Sequence, residues 1–158
     1  MFMRTRLTLV ALTAGLVVTL TGCAGQVPMQ AAKDANNPAC ASVIVRLPNT
    51  VADQKKRETN AQGTGAWGTP ASILLTCGVT VPGPSTLPCV SVNGVDWLED
   101  DSKAPLYRYT AYGRNPAVQV VIDSDKVSGT TTLVDLNPAV SAIPATAKCT
   151  SVADTLKL

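Results

Sequence analysis

Histidine is absent from the 158 residues. That removes Ser-His and Cys-His nucleophilic pairs and the imidazole ligands on which most catalytic zinc sites rely. Neither Ser-x-x-Lys nor Gly-x-Ser-x-Gly occurs, so the two common serine-nucleophile motifs that carry their own local signature are excluded as well. The single phenylalanine is Phe2, outside any core the chain can build. Packing must come from Val, Leu, Ile and Ala, with Trp67, Trp97, Tyr107, Tyr109 and Tyr112 as the large side chains. A dominant charge is also missing. Of 13 basic and 11 acidic residues, Arg4 and Arg6 belong to the N-terminal signal described below, which leaves 11 of each sign. A balanced domain has no overall electrostatic footprint for nucleic acid or anionic lipid, and no cofactor motif calls for a cofactor.

The one long apolar run lies at the N-terminus. Arg4 and Arg6 precede Leu7 to Leu20 (LTLVALTAGLVVTL), and Leu20-Thr21-Gly22-Cys23 follows. Charged start, apolar middle and small-residue exit are the parts of a secretory signal. The cysteine at its end resembles a lipoprotein lipobox, which implies cleavage after Gly22 and a diacylglyceryl group, with palmitate-type chains, on Cys23. Two buried acyl chains anchor stably where one is marginal. The expected location is the extracytoplasmic face of the cell membrane, lipid-anchored. The expected divisions are a signal over 1–22, lipidated Cys23 with a flexible tether over 23–39, one domain over 40–150, and a tail over 151–158. Stretched out, Ala24 to Ala39 would reach about 55 Å.

The remaining cysteines are Cys40, Cys77, Cys89 and Cys149. An even number in an exported domain reads as two disulfides, and their wide spacing does not suit a metal site. Four cysteines allow three pairings. Cys77 and Cys89 flank the proline-rich stretch Val81 to Pro88, and Cys40 and Cys149 bracket the domain, so Cys77–Cys89 with Cys40–Cys149 is the favoured arrangement.

Val- and Thr-rich segments favour strands. Strands are expected at Ser42 to Leu47, Ser72 to Cys77, Tyr107 to Tyr112, Ala117 to Ile122 and Thr130 to Leu136. Short helices are expected from Asn49 or Thr50 toward Arg57 and from Asn137 to Ile143. Cys89 to Leu98 is the clearest local signal. Asn93-Gly94 suits a two-residue type I′ turn that pairs Val92 with Val95 and Val90 with Trp97 on one face, and Ser91 with Asp96 on the other. Together these predict an α+β fold: a mainly antiparallel sheet of five or six short strands, one or two short helices and two disulfides.

Asn60-Ala61-Gln62, Ala66-Trp67-Gly68 with Pro70, Cys77-Gly78-Val79, Pro88-Cys89, Val95-Asp96-Trp97, and Tyr112-Gly113-Arg114 with Pro116 occur in that order. Over about Cys40 to Cys149 the chain thereby resembles an actinobacterial lipoprotein family, domain of unknown function 3515. The resemblance implies an envelope lipoprotein with this cysteine set and carries no activity.

Gly63-x-Gly65-x-x-Gly68 matches a dinucleotide fingerprint by letter. It lacks the preceding apolar strand and an acid about 20 residues on, so Asn60 to Gly68 reads as a flexible loop. Asp96, Glu99, Asp100 and Asp101, and separately Asp123 and Asp125, read as solvated turns rather than calcium or glycosidase carboxylates. Lys55 to Gln62 with Trp67 combines cations, amides and an indole. Arg57, Asn60, Gln62 and Trp67, joined by Arg114, are therefore the candidate ligand-binding residues, set against a solvated segment with Trp67 in the core. Two functions compete at this point. One is a non-catalytic envelope module that binds a protein or glycan partner. The other is a His-free, carboxylate-dependent hydrolase acting on envelope glycans.

Overall fold

The computed structural model describes residues 25–150. The expected signal over 1–22, Cys23, expected to carry the lipid, and the expected tail over 151–158 lie outside them. Among the described residues no helix is long and apolar enough to cross a membrane.

One eight-stranded antiparallel sheet carries two helices. In chain order the elements are α1 (Pro38–Ile44), β1 (Thr50–Val51), β2 (Gln54–Arg57), β3 (Thr64–Trp67), β4 (Ile73–Val79), β5 (Cys89–Val92), β6 (Val95–Asp100), β7 (Leu106–Ala111), β8 (Ala117–Asp123) and α2 (Gly129–Val140). Across the sheet the order is β1-β2-β3-β4-β8-β7-β6-β5. The expected α+β class and mainly antiparallel pairing hold, but the expected five or six strands are eight.

The differences have local causes. Of Ser42 to Leu47, expected as a strand, Val45 to Leu47 lie in the turn after α1 and Ser42 to Ile44 form the end of α1. There the Asn37 side chain accepts the Ala39 N–H at 3.0 Å and Pro38 occupies the first turn, a combination that starts helices. Burial of Cys40 and Val43 at i and i+3 fixes the helix against the sheet. The expected helix from Asn49 toward Arg57 is the β1–β2 hairpin. Its turn holds Ala52 and Asp53 at positive φ, and the Ala52 N–H donates to Asp135 Oδ2 of α2 at 2.8 Å. The expected loop Asn60 to Gly68 contains β3. A Cβ at Gly65 would lie 2.7 Å from Leu47 Cδ1 and 3.0 Å from Trp67 Cη2, so this glycine serves close packing rather than mobility. Thr130 to Leu136, expected as a strand, is the body of α2. Ser128 caps it by accepting the Thr131 N–H. Thr132, Leu133, Leu136, Ala139 and Val140 are buried at helical spacing, and Pro138, expected at a helix start, sits near the helix end.

The Cys89–Leu98 hairpin has the register expected of it, Val92↔Val95, Ser91↔Asp96 and Val90↔Trp97, around Asn93 and Gly94 at positive φ. Both helices lie on one face of the sheet. There Val43, Trp67, Ile73, Leu75, Val95, Trp97, Val118, Val120, Ile122, Leu133 and Leu136 form the core. α2 touches β1, β8 and β5, so the sheet curls around it until one helix meets both outermost strands.

The disulfides are Cys40–Cys77 and Cys89–Cys149, with Cα–Cα distances of 5.6 and 6.4 Å. They replace the expected Cys40–Cys149 and Cys77–Cys89. The strand order explains this. β4, carrying Cys77, and β5, carrying Cys89, are four places apart in the sheet, about 19 Å at strand spacing, whereas a disulfide needs Cα atoms within about 7 Å. Proximity in sequence across the proline-rich stretch says nothing about proximity across a sheet whose order interleaves β8, β7 and β6.

Candidate functional site

The sequence-predicted ligand residues do not converge. Trp67 is fully buried in the core and its Nε1 donates to the Pro48 carbonyl at 3.0 Å. Arg57 spends its guanidinium on the chain around it: Nη1 donates to Gly68 O at 3.1 Å and to Thr69 Oγ1 at 3.0 Å, and Nη2 to Gly25 O at 2.8 Å. Asn60 Oδ1 accepts the Met29 N–H at 2.7 Å. Gln62 is exposed at the rim of an apolar hollow of about 220 Å³ beside α1, with Ala41, Ile44 and Val45.

Arg114 lies elsewhere. It follows β7, which β3, β4 and β8 separate from β2, and it is 5% exposed. Its Nη1 donates to the Ile143 carbonyl and its Nη2 to Gly94 O at 3.4 Å, while Nε has no partner among the described residues. Burial lowers its pKa and the nearby Asp96 carboxylate pulls the other way. Arg114 thus fastens the segment after α2 to the end of the β5–β6 hairpin.

That segment builds the larger concavity. Beyond Ile143 the chain pairs Ala145 with Arg114 and donates Thr146 N to Gly113 O at 2.7 Å. It passes so close that a Cβ on Gly113, at φ +69°, would sit 2.0 Å from Ala147 O. Cys149 then reaches Cys89, and its N–H donates to Asp96 Oδ2 at 2.8 Å. Between this segment, the Val81 to Pro88 stretch and the β5–β6 hairpin lies a groove of about 630 Å³. Its lining combines apolar Pro84, Leu87 and Leu98 with polar Ser85, Ser91, Asp96, Tyr112 and Lys148.

One wall is the edge of the sheet. β5 is the outermost strand. In a two-residue hairpin the residues flanking the turn exchange both hydrogen bonds and the pairing then alternates. Val92 and Val90 therefore bond toward β6, whereas Ser91 and Cys89 turn their N–H and C=O to the open edge. The partner strand agrees: Asp96 O, opposite Ser91, accepts from Tyr112 N on its far side at 2.8 Å, and Glu99 N donates to Pro88 O at 2.9 Å. Ser91 is exposed.

The acidic residues disperse along β6. Asp96 faces the groove and is the one carboxylate in its lining among the described residues. Glu99 stands opposite Tyr109. Asp100 pairs with Arg108 at 3.6 Å and accepts the Ser102 N–H at 3.0 Å; hydrogen bonding from the Ser102 side chain, then from its backbone N–H, and the Arg108 charge hold its pKa below the usual value. Asp123 pairs with Lys126 at 3.2 Å and accepts the Asp125 N–H. Sequence reasoning missed the groove because its walls come from residues 84–98, 112 and 148–150. Only the Cys89–Cys149 pairing, one of three open to it, could have joined them.

A family model described as "Protein of unknown function (DUF3515)" matches residues 6–148. No curated protein and no solved structure matches the chain.

Proposed function

The chain belongs to this family of proteins of unknown function, and with no activity to inherit from it we propose a lipid-anchored, extracytoplasmic binding module of the cell envelope. Its groove beside β5 takes an extended segment of a partner polypeptide. The lipoprotein character and actinobacterial source implied by the resemblance are part of the same proposal. The anchor reading is supported by the order Arg4, Arg6, apolar run, Gly22, Cys23. It is also supported by the pairing of the four remaining cysteines as disulfides, which persist in oxidising compartments.

The observation that carries the binding reading is the coincidence of a strand edge with a groove. Exposed edges are templates for another strand. An added strand takes affinity from main-chain hydrogen bonds and specificity from side-chain pockets alongside. Ser91 and Cys89 supply the main-chain groups, Leu87 and Leu98 apolar contacts, Tyr112 an aromatic one, and Asp96 and Lys148 groups of opposite charge. Glycoside hydrolysis needs two carboxyl groups flanking one bond. Among the described residues Asp96 is the one carboxylate in this lining, and it is already engaged by the Cys149 N–H, which favours binding over hydrolysis.

Ser91→Pro tests the reading. It deletes the outward N–H of an edge strand, a place where proline is tolerated because no ladder bond is lost. A photo-cross-linking side chain at Ser85 in intact cells is expected to trap a partner polypeptide in the wild type and to lose that product with Ser91→Pro, at unchanged thermal stability. A product that persists undiminished with Ser91→Pro overturns strand addition.

A further inference from the structure

The segment read as a slack tether is strapped to the domain. Gly25 O accepts from Arg57 Nη2 at 2.8 Å. Val27 N donates to Glu58 O at 2.8 Å and Val27 O accepts from Asn60 N at 3.4 Å, a parallel bridge between Val27 and Thr59. Met29 N is held by Asn60 Oδ1 at 2.7 Å. Farther on, Asp34 N donates to Gly78 O at 3.1 Å. The approach there is so close that a Cβ on Gly78 would lie 2.4 Å from the Asp34 carbonyl carbon. Ala35 is buried. Only Ala24 separates Gly25 from Cys23, and two residues span at most about 7 Å.

We infer that the surface around Arg57 and the rest of β2 faces the membrane and rests on phospholipid headgroups, with Lys55 and Lys56 on anionic ones. This builds on the proposal that Cys23 carries a lipid. A diacylglyceryl group places its glycerol at the boundary of headgroup and acyl chain, so a domain fixed one residue from that cysteine has no slack with which to stand off. Lys55 and Lys56 are exposed, and the ion pairs among the described residues involve neither. Exposed Asp53 and Glu58 flank them, which leaves one net positive charge over 53–58 with Arg57 counted. The strap therefore sets the orientation, and charge selects the headgroup. β5 lies six strand places from β2, in a sheet that curls so that α2 meets both of its edges.

The two tryptophans report on this orientation. Trp67 pairs with Lys56 across β2 and β3, and Trp97 is on β6, four places farther along the sheet. The full chain is produced in a bacterium with lipoprotein processing, and its intact mass is measured before it enters vesicles of phosphatidylcholine and phosphatidylglycerol with dansyl-headgroup lipid. Trp97→Phe leaves Trp67 as donor, and Trp67→Phe leaves Trp97. The donors sit four strand places apart on a curled sheet, at most about 19 Å, and energy transfer is expected to be greater from Trp67. Inserting about twenty Gly/Ser residues after Ala24, an r.m.s. span of about 25 Å, is expected to erase that gap. Should either variant fail to fold, photoactivatable phosphatidylglycerol on the native chain gives the same answer: adducts are expected at 55–57, and adducts concentrated at 85–91 overturn the orientation. Equal transfer from both tryptophans in a lipidated protein overturns this inference alone. An unmodified Cys23 overturns the anchor and the inference together.

Discussion

Arg57 and Trp67 show how a residue's chemistry misleads when its neighbours are unknown. Cations, amides and an indole in one segment are the ingredients of a polar ligand site, yet Trp67 fills the core and Arg57 binds three oxygens of its own chain. An exposed substitution changes stability by about 0.5 kcal/mol or less. Arg57→Ala is instead expected to cost about 1–2 kcal/mol, because it strands carbonyls that a charged donor had satisfied. Urea unfolding of the soluble domain measures this, and a change within 0.5 kcal/mol, on the scale of an ordinary surface site, would return Arg57 to the list of free groups. Tyr109 offers a pH readout. Burial first, then the Glu99 charge, raises its pKa above the ordinary 10.0. The fold therefore favours the neutral phenol, and its contribution is complete below pH 10 and is lost as pH rises from there through the higher folded-state value. Melting temperature is expected to decline above about pH 10 and to decline less steeply with Tyr109→Phe. Equal slopes for the two proteins would show that Tyr109 contributes nothing to the alkaline loss.

At the scale of elements, the sequence was legible where local chemistry and tertiary packing agree. Asn93-Gly94 dictates a type I′ turn, and the alternation on either side sets the register that β5 and β6 adopt. β7 and β8 are similarly plain because their apolar alternation matches a sheet with one covered face. α2 was unreadable as a helix because Thr130, Thr131 and Thr132 favour strands, while its helical stripe depends on what it packs against. The β1–β2 turn had no Asn-Gly to announce it; a side chain 83 residues away holds it. The groove was beyond reach for the same reason, since strand order alone decides which cysteines meet. That order also separates the two disulfides in exposure. Cys40 and Cys77 are both fully buried, whereas Cys89 is exposed and Cys149 partly so. Attack on a disulfide requires access to sulfur. A mild dithiol under native conditions is expected to open Cys89–Cys149 first and to leave Cys40–Cys77 intact until the domain unfolds. Alkylation followed by peptide mapping decides the order, and simultaneous opening would show that the burial of Cys40–Cys77 gives no protection.

For the molecule as a whole, α2 is the part that makes one unit of an eight-stranded sheet. Asp135 accepts the Ala52 N–H of the β1–β2 turn at 2.8 Å. Asn137, two residues on, donates through Nδ2 to Val92 O at 3.2 Å and Asn93 O at 3.1 Å in the β5–β6 turn. One helix thus grips both ends of the sheet, which brings the β5 edge and its groove under the same support as the strand beside the strap. A net hydrogen bond contributes about 0.5–1.5 kcal/mol, and leaving a buried partner unsatisfied costs about 1–3. Asp135→Ala and Asn137→Ala are each expected to cost about 1–2 kcal/mol. Because the two side chains bond no common group, the double variant is expected to be additive within about 0.5 kcal/mol despite their closeness on the helix. Amide exchange followed by mass spectrometry locates the effects. Asp135→Ala is expected to speed exchange around Ala52 while β5 and β6 stay protected, and Asn137→Ala is expected to do the reverse. If either variant instead speeds exchange at both edges to the same degree, α2 does not hold them separately, and the sheet opens from both edges as one cooperative unit.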